Sequence, residues 1–307
     1  MRLVFLGSGA FGVPTLRSLL EQHDVAMVVT QPDRPAGRGG RLKPTPIGQL
    51  AESAGAQVIK PERINRAEII DQVRGVQADA CVVIAYGQKL GPTLLDGVFA
   101  INLHASLLPR WRGAAPIHHA VLAGDEETGN SVITLAEEMD AGDVLATTRR
   151  AIKPTQTTGE LHDLLAEDGP EAVLSVLEAH HDGRVKRMQQ DASRVTLAPK
   201  LSRADAEIDF TGSGQHCRAH INGLSPWPGC TVDAAGVTLK LLRAGPAEGS
   251  GAPGELVDAD NGVVACGTGA VQLLEVQPAG KKPMAFADFA RGRELKVGAV
   301  LNLDLNR

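Results

Sequence analysis

A chain of 307 residues that is 43% hydrophobic and 22% charged has the profile of a soluble globular protein, long enough for two domains with a core each. Aromatic residues make up only 3%, so Ala, Val and Leu must fill the interior and an aromatic base-stacking platform is not expected. Residues 1–203 carry 22 Lys and Arg against 24 Asp and Glu, and residues 204–307 carry 9 against 12; neither half is basic, which disfavours a non-catalytic RNA-binding module.

Residues 3–7 are apolar and β-prone, and the stretch is too short for the apolar region of a signal peptide, so it reads as a first strand. Gly7-Ser8-Gly9-Ala10-Phe11-Gly12 follows, then a helical pattern from Val13 to Gln22. Gly7, Gly9 and Gly12 fit the dinucleotide fingerprint, which suggests an NAD-dependent oxidoreductase. That fingerprint also needs an acid at the tip of the second strand to hold ribose hydroxyls. The second strand, Val25 to Val29, ends in Thr30-Gln31 instead, and Asp33 lies beyond Pro32. The glycines are therefore assigned to a tight turn and close packing. The next segment is rich in Pro and Gly, carries Arg34, Arg38, Arg41 and Lys43, and reads as a long irregular loop that forms the clearest cationic patch. Pro46 to Gly55 suits a helix, Val58-Ile59 a short strand and Arg66 to Arg74 a further helix. Ala80 to Ala85 is continuously apolar, as in a strand buried on both faces of a parallel sheet. This alternation predicts βαβ units in a right-handed, doubly wound sheet.

Gly97 to His104 alternates as a strand, with Ile101 and Leu103 on one side and Asn102 and His104 on the other. The two polar residues fall at the carboxyl end of the strand, where open α/β sheets place their sites. Spacing alone leaves two readings: a catalytic pair, or two polar groups satisfied by loop backbone. Ser131 to Leu135 and Val144 to Thr148 alternate around Met139-Asp140-Ala141-Gly142-Asp143. That turn can carry a carboxylate to His104, or Asp140 can simply be a turn residue that caps its own backbone. Leu161 to His180 is helical in pattern, and residues 184–200 are polar and weakly periodic, as in a linker. Short β-prone pieces then follow at 229–232, 237–242, 254–257, 262–266 and 270–276, suggesting a small barrel or sandwich. Cys81, Cys217, Cys230 and Cys266 form no C-x-x-C pair, so reduced thiols in a cytoplasmic protein are expected. No apolar run approaches the length of a membrane span.

Asn102-x-His104, then Ser106-Leu107-Leu108-Pro109, then Asp140-Ala141-Gly142-Asp143, resembles the formyltransferase family that uses 10-formyltetrahydrofolate. The resemblance covers nearly the whole chain. It implies an α/β fold: a doubly wound, Rossmann-like catalytic domain in residues 1–185, a linker in 186–203, and a smaller OB-like β-barrel domain in 204–307 that supports tRNA. By resemblance, Asn102, His104 and Asp140 are the catalytic group, and Ser106, Leu107, Leu108 and Pro109 contact the folate together with the Ala85-Tyr86-Gly87 turn. Arg34, Arg38, Arg41, Lys43 and Lys200 are the implied tRNA contacts. The implied donor is 10-formyltetrahydrofolate and the implied acceptor is the α-amine of methionyl-initiator tRNA, on a monomer that needs no metal. An amino-sugar nucleotide or glycinamide ribonucleotide is the alternative acceptor. Trp227, in Asn222-Gly223-Leu224-Ser225-Pro226-Trp227-Pro228-Gly229, is read as a packing anchor. The departure is Gly7-Ser8-Gly9, where this family often shows Gly-Thr-Pro.

Overall fold

The computed structural model describes residues 1–36 and 40–303. The chain divides into two compact units. The first comprises Met1–Arg112, Gly129–Arg150 and His162–Thr196; the second comprises Gly113–Thr128, Ala151–Leu161 and the chain from Leu197 onward. The second unit is thus discontinuous in sequence and draws two short segments, Gly113–Thr128 and Ala151–Leu161, from between stretches of the first.

The first unit is built on a seven-stranded sheet among the described residues. Its strands are β1 (Arg2–Gly7), β2 (Asp24–Val29), β3 (Val58–Ile59), β4 (Ala80–Ile84), β5 (Phe99–His104), β6 (Ser131–Thr134) and β7 (Val144–Thr147). Their order is β7-β6-β5-β4-β1-β2-β3; β1 to β5 are parallel, and β6 pairs antiparallel with both β5 and β7. The chain leaves β1 toward β2 and β3 and returns on the other side through β4 and β5, the reversal of a doubly wound sheet. Val4, Leu6, Met27, Val29, Cys81 and Val83 point into one apolar layer beside Ile64, Val73 and Leu94. Ala80, Val82 and Ile84, on the other face of β4, are buried as well, which explains why that strand reads as an unbroken apolar run.

The glycine-rich start serves packing. A Cβ on Gly7 would lie 2.8 Å from the Ile84 carbonyl, and one on Gly12 would press on Ile47 and Ile84 at 3.3 Å. Where a dinucleotide site would have an acid, Gln31 ties loops together. Its backbone N–H donates to Ser8 Oγ and its amide donates to the Tyr86 carbonyl, each at 3.1 Å. The helix Thr158–His181 crosses the sheet at Gly169, where a Cβ would come within 2.7 Å of Leu103.

Two expectations change here. The segment read as an irregular loop holds a hairpin: Arg34–Ala36 pairs antiparallel with Arg41–Lys43, with Arg34 opposite Lys43 and Pro35 opposite Leu42. Ladder pairing satisfies backbone groups that a bare loop would leave to water. Its base is closed by Thr30 Oγ1 and Thr45 Oγ1, 2.5 Å apart. Arg38 lies outside the described residues. The second correction is Trp227, which is 50% exposed rather than buried as an anchor. Leu224 and Cys230 occupy the core on either side of it, and the prolines between them turn the indole outward.

The second unit is an antiparallel sheet of β8 (Thr231–Ala234), β9 (Val237–Ala247), β10 (Leu256–Asp258), β11 (Val263–Ala265), β12 (Ala270–Pro278) and, after the Met284–Ala285 pairing on β12, β13 (Asn302–Leu303). Its order is β10-β11-β12-β9-β8-β13. The register of β9 against β12 slips twice between Leu241 and Ala244, which bends the long strand. Glu255, just before β10, bridges Val300, just before β13. The two edges of the sheet are therefore brought together, which gives the curled, OB-like form. Leu239, Leu241, Val271 and Leu273 meet Cys217 and Ile221, from the helix Gly214–Gly223, in the core.

Candidate active site

Asn102 and His104 leave β5 on the same side, as strand alternation requires. Asn102 stands between Val83 on β4 and Ile133 on β6, and His104 stands opposite Ser131. The imidazole is 6% exposed and the Asp140 carboxylate 13%. Their closest atoms, His104 Nδ1 and Asp140 Oδ2, are 3.5 Å apart. That is an ion-pair distance, longer than a settled N–H···O bond. On its other edge, His104 Nε2 donates to the Trp111 carbonyl at 2.9 Å. At His104, loop backbone holds one nitrogen and a carboxylate faces the other.

The Asp140 turn is closely held. Asp140 has φ +54°, in the left-handed region, which Asp tolerates better than most residues because its short polar side chain bonds locally. The Thr134 backbone N–H donates to the Asp143 carbonyl at 3.0 Å, and the Asp143 N–H donates to Thr134 Oγ1 at 2.9 Å. Gly142 lies so close to β6 that a Cβ would sit 1.7 Å from the Thr134 carbonyl oxygen. Only glycine fits there. On the opposite side Gln190 Nε2 donates to the carbonyls of Asp140 and Gly142, both at 2.7 Å. Gln190 Oε1 accepts from Arg112 Nε at 3.0 Å and Nη2 at 2.9 Å, and Arg112 is buried. Neither Gln190 nor Arg112 stands out as a site residue in the sequence. Arg112 offered a weak signal, a charge beside a turn, but Gln190 lies in the polar segment read as a linker. In that segment Met188 pairs with Val144 through two backbone bonds of 2.8 and 2.9 Å.

The two loops assigned to folate leave the carboxyl ends of β4 and β5, which are adjacent parallel strands, and so share an edge of the sheet. Ala85 and Gly87 both have positive φ, so the backbone turns sharply on either side of Tyr86. The Tyr86 side chain is 2% exposed and its hydroxyl has no hydrogen-bond partner among the described residues. Burial pushes that phenol up to about 12, so it remains a neutral donor. In the other loop the Ser106 hydroxyl donates to the Arg110 carbonyl at 2.6 Å, and Ser131 Oγ donates to the Ser106 carbonyl at 2.7 Å and accepts from the Leu108 N–H at 3.1 Å. Ser106 and Leu108 are buried, while Leu107 and Pro109 are partly exposed. Ser106 therefore closes its turn with its side chain. Arg34, Arg41 and Lys43 are exposed on the hairpin, and Arg34 reaches Glu62 at 3.4 Å. Lys200 is exposed in the second unit. No group of three or more metal-binding side chains occurs among the described residues.

Comparison with known proteins agrees with this geometry. Residues 1–177 match the model of the formyl transferase family, and residues 200–294 match that of the formyl transferase C-terminal domain. The chain is 42% identical over 307 residues to a methionyl-tRNA formyltransferase of Bradyrhizobium diazoefficiens, covering 97% of this chain and 98% of the relative. It is 44% identical over 308 residues to one from Methylobacterium nodulans, covering 98% and 99%. Among solved structures, the sugar 3N-formyl transferase WlaRD, crystallised with dTDP and 5-N-formyl-THF, has the same fold, at a TM-score of 0.69 and 12% identity over 92% of this chain and 99% of that one. HypX from Aquifex aeolicus, in complex with tetrahydrofolic acid, aligns at a TM-score of 0.62 and 19% identity over 97% of this chain, which spans about half (48%) of the HypX chain. With both domain models matched in order and near full-length relatives above 40% identity, the chain belongs to the formyl transferase family.

Proposed function

We propose that this enzyme transfers the formyl group of 10-formyltetrahydrofolate to the α-amine of methionyl-initiator tRNA, giving N-formylmethionyl-tRNA for translation initiation. The observation that carries the reading is the end-to-end likeness to methionyl-tRNA formyltransferases, in a chain whose His104 and Asp140 stand 3.5 Å apart at the carboxyl edge of the sheet. The donor supplies an activated formyl carbon on N10. In this reading its pterin lies at the edge formed by residues 85–87 and 106–109, at the carboxyl ends of two adjacent parallel strands.

The residues divide the chemistry as follows. When the acceptor nitrogen bonds to the formyl carbon, charge collects on the formyl oxygen. The Asn102 amide N–H donates to that oxygen. Because His104 Nε2 is spent on Trp111, Nδ1 is the nitrogen that faces the reacting group, and Asp140 beside it offsets the charge of the protonated ring. This narrows the role of His104 to one ring edge. Asp140 takes the proton shed by the attacking amine and passes it to N10 as the C–N10 bond breaks, so the donor leaves as its free amine. Removing one such oxyanion donor typically costs about 10²–10³ in rate.

For the acceptor, the hairpin supports an RNA contact. Arg34 and Lys43 are cross-strand neighbours; Glu62 stands 3.4 Å from Arg34, while the exposed Arg41 and Lys43 are the hairpin cations that a polyanion would neutralise. Lys200 and residues 204–307 complete the tRNA-supporting part in this reading, and residues 1–185 carry the chemistry, on a cytoplasmic monomer without metal. Two measurements test it. Charged initiator tRNA is expected to be formylated while amino-sugar nucleotides and glycinamide ribonucleotide are not; the reverse pattern would assign the enzyme a small amine. The double variant Arg41→Ala, Lys43→Ala is expected to weaken tRNA binding and reduce its log–log salt slope by about 1 to 2, with donor affinity unchanged. An unaltered slope would remove the hairpin from the RNA contact.

A further inference from the structure

We infer that Gln190 is a positioning residue that sets where the Asp140 carboxylate stands against His104, and that the buried Arg112 guanidinium sets the orientation of Gln190. The inference rests on the catalytic role proposed for Asp140. Gln190 grips the turn at two points, the carbonyls of Asp140 and Gly142. An amide offers two N–H donors on one end and an acceptor on the other. Arg112 directs both Nε and Nη2 at Oε1, and since a guanidinium only donates, the NH₂ end must face the two carbonyls. The orientation of the amide is thereby fixed by charge. The far side of the same turn is fixed by Thr134 and by the lack of any Cβ on Gly142. Clamped from both sides, Asp140 keeps its left-handed backbone, and its carboxylate stays 3.5 Å from His104 Nδ1.

The sensitivity of this spacing gives the clamp a function. At 3.5 Å the pair sits just beyond ordinary hydrogen-bond length, so a small shift of the turn decides whether ring and carboxylate bond each other. A displacement of about 1 Å in a reacting group can cost about 10²-fold in rate. Residues 188–190 run beside residues 142–144, so the grip extends a backbone pairing that Met188 and Val144 begin. The polar segment between the two family matches thus acts on the site through the Asp140 turn, though it touches neither reactant in this reading.

The test uses the full chain and an isosteric change. Gln190→Glu keeps the size and the Arg112 pair but turns a carboxylate oxygen, in place of the N–H donors, toward two carbonyl oxygens. Its kcat for formylation of methionyl-tRNA is expected to fall by about 10- to 100-fold, with KM for donor and tRNA within about twofold of wild type. Combined with Asp140→Asn, it is expected to add less than about twofold further loss, because it acts only through Asp140. Gln190→Ala, checked for an unchanged donor dissociation constant, serves if the charged variant folds poorly. An unchanged kcat in both variants would overturn the inference, as would a loss that multiplies fully with that of Asp140→Asn. Full activity of Asp140→Asn alone would instead overturn the role of Asp140.

Discussion

Asp140→Asn is expected to lower kcat/KM for formylation by about 10²–10⁴-fold, the range for loss of a general acid–base group. The substitution is nearly isosteric, and Asn shares the tolerance of Asp for the left-handed conformation adopted at this position. The turn should survive, since Thr134, Gly142 and Gln190 hold it through backbone groups that the change leaves intact. What is lost is the negative charge 3.5 Å from His104 Nδ1 and the base that receives the amine proton. The fall should therefore be in kcat, with donor affinity preserved. A loss confined to KM would show that Asp140 binds substrate and takes no part in proton transfer.

Asn222→Leu is expected to destabilise the second unit by about 2–6 kcal/mol, because two buried backbone groups lose their partners at about 1–3 kcal/mol each. Asn222 is 2% exposed at the end of the helix Gly214–Gly223. Its amide accepts from the Ala244 N–H at 2.8 Å and donates to the Ala244 carbonyl at 2.9 Å, as a neighbouring strand would. Ala244 lies where the register of β9 slips, so the side chain completes the pairing at the bend. Leu matches the volume but offers neither group. Urea unfolding followed by the fluorescence of Trp227, the tryptophan of this unit, reads the change; a loss below about 1 kcal/mol would mean that water replaces the amide.

Much of the candidate site's geometry was legible because it depends on local periodicity. The i, i+2 spacing of Asn102 and His104 at the end of β5, the unbroken apolar run of β4 and the missing acid after β2 all follow from short-range rules. The features that escaped are set by contacts distant in sequence. Gln190 reaches Asp140 across 50 positions and Arg112 across 78, and no periodic pattern marks such partners. A tryptophan between prolines looks like an anchor, yet Leu224 and Cys230 fill the core on either side of Trp227 and the indole stays exposed. The hairpin at Arg34–Ala36 and Arg41–Lys43 escaped because its strands are three residues long and carry charge and proline. The helix Pro116–Leu122 was missed between two turns, in a segment that belongs to the second unit although the first surrounds it in sequence.

The most direct test of the central claim is single-turnover transfer of a labelled formyl group from 10-formyltetrahydrofolate to methionyl-initiator tRNA, run in parallel with wild type and His104→Ala at matched donor occupancy. Label is expected on the methionyl nitrogen with wild type, and at a rate lower by about 10²-fold or more with the variant. Transfer by the variant at the wild-type rate, or no transfer by wild type, would contradict the account.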